Sequence, residues 1–275
     1  MSRQPYHMIE GDKMKLKTGV LLGLCMLMGN LNTPSYALEE NNTADAKATV
    51  ASISNKELML ETATLLRSAR AVISDNQALI NDPEKGDKGL TADMVIETAI
   101  KKYQEKTGHP LPVFESGSLA AQAQKAMLES VREVVNQAQP LINEQGKGFK
   151  GFIPAVFTKQ VGAAFSARME GKMFLRLTAP KEFIRNRANR SDEWEEKVIE
   201  QKFKLADWPK SKEFEEQSSY KGAAAYRLAL PEYYVESCLK CHGDPKGDLD
   251  ITGAPKEGGR LGDLGAVISI GIYTA

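Results

Sequence analysis

Cys238-Leu239-Lys240-Cys241-His242 is the one stretch of this chain whose residue types and spacing together name a chemistry. Two thiols one helical turn apart can each add to a vinyl group of a porphyrin. The histidine directly after the second thiol is then held under the iron as its proximal axial ligand. C-x-x-C-H is the attachment signature of a c-type haem. With three cysteines and three histidines in 275 residues, chance would produce this pattern roughly 0.0004 times, so coincidence explains it poorly.

Three other chemistries use the same residues. A thioredoxin-like dithiol needs a helix running on after the second cysteine, whereas Gly243-Asp244-Pro245-Lys246-Gly247 stops one at once. Structural zinc needs four ligands, and after export only Cys238, Cys241, His242 and His109 remain. A disulfide would close a tight loop and leave His242 without a role.

The elements that must position the motif can be read from periodicity. Leu58, Leu65, Leu66, Val72, Ile73 and Ile80 mark a long amphipathic helix that ends at Asn81-Asp82-Pro83. A glycine loop follows, and then a second helix from Thr91 towards Lys106. Sliding the chain by 62 positions superposes Leu66, Arg70, Val72, Gln77 and Asn81 on Leu128, Arg132, Val134, Gln139 and Asn143, and Lys85-Gly86 and Lys88-Gly89 on Lys147-Gly148 and Lys150-Gly151. Helix, glycine loop and helix therefore occur twice, which predicts two stacked helical hairpins. Neither loop has the Walker spacing, so each is read as a helix-ending turn rather than a phosphate cradle.

In the second copy Phe157, Val161 and Phe165 share one helix face, apolar enough for a core and equally fit to wall a haem pocket. Strands are expected at Met173–Thr178, Ala223–Leu230 and Gly265–Tyr273. A capped helix begins near Ser191, and Pro231-Glu232-Tyr233-Tyr234 is expected to open the short helix bearing the motif. Helices first and an antiparallel sheet second make the fold class α+β.

Lys15 and Lys17 precede an apolar run from Gly19 to Met28, and Ser35-Tyr36-Ala37 has the form of a signal-peptidase site. Residues 1–37 thus read as an export signal, with Met14 the effective start and the periplasm the destination. The run is too short to span a bilayer, and contact with a membrane would be peripheral, through an uncleaved signal. Cleavage near Ala37 removes Cys25 and leaves no thiol outside the motif, as suits a haem protein assembled outside the cytoplasm. It also leaves 32 basic against 34 acidic side chains, a balance that argues against nucleic acid. Residues 38–55 are polar and alanine-rich and read as a disordered leader.

Gly151-Phe152-Ile153-Pro154-Ala155, Arg185-Asn186 with Asn189, Trp194-Glu195, Cys238–Gly243, Gly262-Asp263 and Gly265-Ala266 together resemble a bacterial family of exported single-haem domains. That family is similar to PAS domains in fold and often forms the extracytoplasmic sensor of signalling receptors. The resemblance covers roughly residues 124–273 and sets the organisation: a helical repeat copy over 56–123, then a PAS-like domain over 124–275 carrying one covalent haem c. It implies that Cys238 and Cys241 form the thioethers, that His242 is the proximal ligand, and that Arg185, Asn186, Asn189 and Trp194 frame a polar turn beside the haem. The family usually has proline after the Arg-Asn pair, where this chain has Arg187. With no transmembrane helix or kinase after Ala275, a direct membrane receptor is not expected.

The sixth coordination position separates the functional readings. His109 would give bis-histidine ligation and a low-potential electron carrier. Met169 and Met173 bracket the end of the pocket helix and are the methionine candidates, and an open site walled by Phe157, Val161 and Phe165 is the third arrangement. The two readings that follow are a periplasmic haem-based redox or gas sensor and an electron-transfer cytochrome with a fixed sixth ligand. Catalysis is not expected, since no distal His-Arg pair can be assigned. Either reading requires a periplasmic redox or signalling partner, and the first amphipathic helix is suited to forming a homodimer.

Overall fold

The computed structural model describes residues 52–274, which belong to one compact unit. The export signal over 1–37 and the leader up to residue 51 lie outside the described residues. The first helix, α1 (Asn55–Asp75), starts inside the expected leader, because Ser54 and Glu57 form a reciprocal capping box. It does not run unbroken to Ile80. The Asn76 side-chain amide donates to the Val72 carbonyl at 2.8 Å and shares it with the Asn76 backbone N–H at 3.2 Å, and a separate turn, α2 (Gln77–Ile80), follows. Thr91 caps α3 (Ala92–Thr107), and Gly108 closes it in the left-handed region at φ 77°. Ser118 caps α4 (Leu119–Ile142), and Pro154 opens α5 (Pro154–Arg168).

The duplication is built as an exchange. The Lys88 backbone N–H donates to the Asn143 side-chain oxygen at 3.1 Å, and the equivalent Lys150 N–H donates to Asn81 at 2.9 Å. Likewise the Gln77 amide donates to the Phe152 carbonyl at 3.1 Å, and the Gln139 amide to the Leu90 carbonyl at 2.8 Å. Each pair is the 62-residue image of the other, so each copy's glycine loop is completed by the helix end of its twin. The glycines serve the loops rather than the helix ends, since α2 and α4 both terminate on asparagine.

Four strands follow: β1 (Met173–Thr178), β2 (Phe214–Tyr220), β3 (Ala223–Tyr233) and β4 (Leu264–Tyr273). They form one antiparallel sheet in the order β1-β4-β3-β2. The fold is therefore α+β. Pro231-Glu232-Tyr233 extend β3 instead of opening a helix. Phe214, at the start of β2, pairs with Ala229, so beyond that point β3 is an edge on one side, where the missing N–H of Pro231 costs the ladder nothing.

Period-2 alternation sends Leu228, Leu230, Ile268 and Ile270 into one core shared with α1, α3, α4 and α5. The opposite face packs under α6 (Glu193–Val198) and a single π-turn over Ile199–Phe203, through Trp194, Val198 and Phe203 against Ala229 and Val267. Within that second layer the buried Arg227 guanidinium lies 4.2 Å from the Trp194 ring centre and pairs with Glu195 at 3.1 Å and Asp192 at 2.8 Å. No helix among the described residues is long and apolar enough to cross a membrane.

Candidate functional site

Tyr233 pairs with Leu264 at the end of the β3–β4 ladder, so residues 234–263 leave the sheet and return as one excursion from that end. It contains α7 (Glu236–His242), which carries the whole C-x-x-C-H motif. Cys238 and Cys241 are free thiols, each partly buried, and an i, i+3 spacing puts them on one helix face. Burial, with Asp250 as a nearby acceptor and negative charge, raises the Cys241 thiol pKa.

The ring of His242 is held on two sides. Its Nδ1–H donates to Glu257 at 2.9 Å, and the Tyr234 ring stacks on it with centres 5.1 Å apart and planes 19° apart. Nothing larger than glycine fits behind Tyr234: a Cβ at Gly259 would lie 2.6 Å from its ring, and one at Gly265 would be closer still. Phe183 meets the same tyrosine edge-on at 5.5 Å. The Tyr234 hydroxyl is buried without a hydrogen-bond partner, and burial raises its pKa, so it remains a protonated donor.

Arg185 ties the excursion to the chain leaving β1. Its guanidinium pairs with both carboxylate oxygens of Glu257, donates to Asp250 at 2.6 Å and donates to the Cys241 carbonyl at 2.7 Å. Burial acts to raise the Glu257 pKa, but the hydrogen bonds from Arg185 and His242 prevail and hold it below the usual carboxylate range. Asp250 behaves alike. Desolvation is outweighed by bonds from Thr252, Arg185 and the Ala254 N–H, and its pKa falls well below that of a free aspartate.

One carboxylate links the end of β3 to the helical repeat. Glu232, two residues before Tyr234, is clamped by Arg67 at 2.5 Å and by Arg70, both on α1. It also sits at a register shift in the β3–β4 ladder.

Of the residues singled out from sequence, the structure brings together Cys238, Cys241, His242 and Arg185. Asn186 stays in its own turn, where its side chain accepts from the Ala188 N–H at 2.9 Å, and Trp194 lies in the second layer. Phe157, Val161 and Phe165 are fully buried in the main core, because the face presented by α5 is covered by the sheet and its neighbouring helices. Met169 and Met173 are buried in that core too. Met173 pairs with Ile272, eight residues along β4 from the base of the excursion, or about 27 Å at strand rise. His109 is exposed, donating from Nδ1 to the Pro110 carbonyl at 2.9 Å, with Nε2 4.0 Å from Glu61. Sequence reasoning missed Tyr234, Asp250 and Glu257, whose roles depend on how the excursion folds back. Among the described residues no cluster of three or more His, Cys, Asp or Glu side chains could hold a metal ion by itself.

Fold and site together define an α+β protein whose sheet end carries a C-x-x-C-H helix braced by an arginine and two carboxylates. Residues 115–272 match the Tll0287-like family, and the chain belongs to it. The match spans nearly all of the stretch whose motifs carry the resemblance. No curated protein and no solved structure matches the chain.

Proposed function

We propose that this chain is an exported, periplasmic single-haem protein of PAS-like fold that senses redox state or a small gas ligand, with haem c attached at Cys238 and Cys241 and ligated by His242. The observation that carries the reading is the pairing of two free thiols on one turn of α7 with a histidine whose Nδ1 is taken by Glu257. This leaves Nε2, which has no hydrogen bond among the described residues, as the ligating atom.

The surroundings suit the group. Among the described residues, four of the six large hydrophobic side chains that are exposed, Val235, Leu249, Ile251 and Leu261, belong to the excursion. A bound group seated on the excursion would cover such apolar side chains. The unpartnered Tyr234 hydroxyl beside the ligand ring is a donor that a cofactor's polar edge would satisfy. When bound, the haem would supply a one-electron couple and an open coordination position. The protein's part is to fix the thiols, hold the ring of His242 in one tautomer and cover the macrocycle.

Sensing is favoured over fixed-ligand electron transfer by two placements. His109, Met169 and Met173 take no part in the contacts around the motif. In addition, the Arg67–Glu232–Arg70 clamp fixes the end of β3 to α1 two residues before the excursion begins, and α1 is a rigid element through which a change at the iron could be read.

The test is an optical spectrum of protein expressed with haem-attachment machinery, ferric and ferrous, with and without carbon monoxide or nitric oxide. Covalent haem that disappears in the Cys238→Ser, Cys241→Ser double variant, with a ferrous form that shifts promptly with gas, is the expected result. Haem bound equally well without the two cysteines would sink the attachment reading. A low-spin spectrum indifferent to both gases would replace sensing with electron transfer.

A further inference from the structure

The carboxylate behind His242 has a consequence for the iron that the motif alone does not carry. We propose that Glu257 is a positioning residue that fixes the tautomer of His242 and strengthens it as an electron donor, making the centre favour the ferric state. The proposal rests on the haem reading above. A histidine that donates its Nδ1–H to a carbonyl is a neutral ligand of ordinary strength. One that donates to a carboxylate gains imidazolate character, pushes more electron density onto the metal and stabilises the higher oxidation state.

In this chain the acceptor is a carboxylate, 2.9 Å from Nδ1 and only 12% exposed, so water screens it little and its charge is shared between the imidazole and the Arg185 guanidinium. It cannot swing away. Arg185 grips both its oxygens while also donating to the Cys241 carbonyl, which binds the carboxylate to the backbone of the ligand's own helix. The Tyr234 ring, wedged over Gly259 and Gly265, blocks rotation of the imidazole on its flat side. Tautomer, ring plane and donor strength are thus set by three residues outside the motif helix, two of them, Arg185 and Glu257, distant from it in sequence.

Two measurements test this. In the haem-loaded full chain, a spectroelectrochemical titration compares wild type with Glu257→Gln, which keeps the shape and removes the charge. The expected result is a shift of the ferric-to-ferrous ratio by at least about tenfold towards ferrous at a fixed ambient potential, equivalent to about 59 mV for one electron. A ratio changed by less than about twofold would overturn the proposal.

In the full chain before haem attachment, long-range nitrogen–proton correlation spectra report which ring nitrogen of His242 carries the proton. Nδ1–H in wild type and a change towards Nε2–H in Glu257→Ala is the expected pattern. Nε2–H in wild type would overturn the positioning role even if Glu257→Gln failed to fold. A wild-type chain that never acquires covalent haem would fail the haem reading, and the tautomer spectra would still decide the role of Glu257.

Discussion

Removing the Glu232 carboxylate should loosen the joint between the end of β3 and the helical repeat by an amount the structure allows to be worked out. The Glu232 side chain is 13% exposed, and its partners Arg67 and Arg70 are 20% and 28% exposed. Glu232→Leu would leave two guanidinium groups side by side with no counter-charge, and the Lys106 ammonium is close enough to feel both. Breaking a buried pair by deleting one partner costs about 3–5 kcal/mol. The partial exposure of the arginines lets water take up some of that, which places the loss near 3 kcal/mol, at the lower end. For a unit of this size each kcal/mol moves the melting temperature by about 2–4 °C, so Glu232→Leu should melt roughly 6–12 °C below wild type by circular dichroism. The triple variant Arg67→Met, Arg70→Leu, Glu232→Leu removes all three charges and should return to within about 1 kcal/mol of wild type. A single variant melting within about 2 °C of wild type would refute the claim that this clamp is a buried, energetically significant joint.

Other outcomes follow from the same structure. Asn81→Ala and Asn143→Ala should each cost about 1 kcal/mol in urea unfolding, and the double variant should depart from additivity by at least about 0.5 kcal/mol, because both belong to one reciprocal contact; strict additivity would mean the two bonds act independently. Asp250 has its pKa held below the unfolded value, so its ionised form stabilises the fold above about pH 4 and that contribution drains away as pH falls through the folded pKa. The urea midpoint of wild type should therefore exceed that of Asp250→Asn at neutral pH, and the gap should narrow on acidification; a gap that widened would reverse the assignment. Phe157→Leu should lower stability by about 1 kcal/mol and leave the haem spectra unchanged, whereas a shifted spectrum would return Phe157 to the wall of the site.

The helices were legible because their signals are local: the apolar stripe of α1, the Thr91 cap and Gly108 stop of α3, and the 62-residue repeat all sit in contiguous sequence. β2 was not, because Phe214-Glu215-Glu216-Gln217-Ser218-Ser219-Tyr220 is polar and lies at the sheet edge, so its alternation carries almost no hydrophobic contrast. The motif itself was readable from spacing alone. Its setting was not, since Glu257 and Asp250 reach His242 and Arg185 only when the excursion folds back, and no spacing rule encodes a contact across 15 or 65 residues. The stripe of Phe157, Val161 and Phe165 could equally have lined a pocket or filled a core. Which it does depends on what covers the helix, and that is a property of the packed sheet.

The exchanged asparagine bonds of the helical repeat bear on how such a chain can be assembled. Asn81 needs Lys150 and Asn143 needs Lys88, so a chain carrying one copy would find these partners only in a second molecule. Joining the two copies in one polypeptide sets their effective concentration at about the millimolar level, and the contact no longer depends on how dilute the protein is. The duplicated half therefore behaves as a homodimer with its subunits spliced end to end, and it holds its own interface at any expression level.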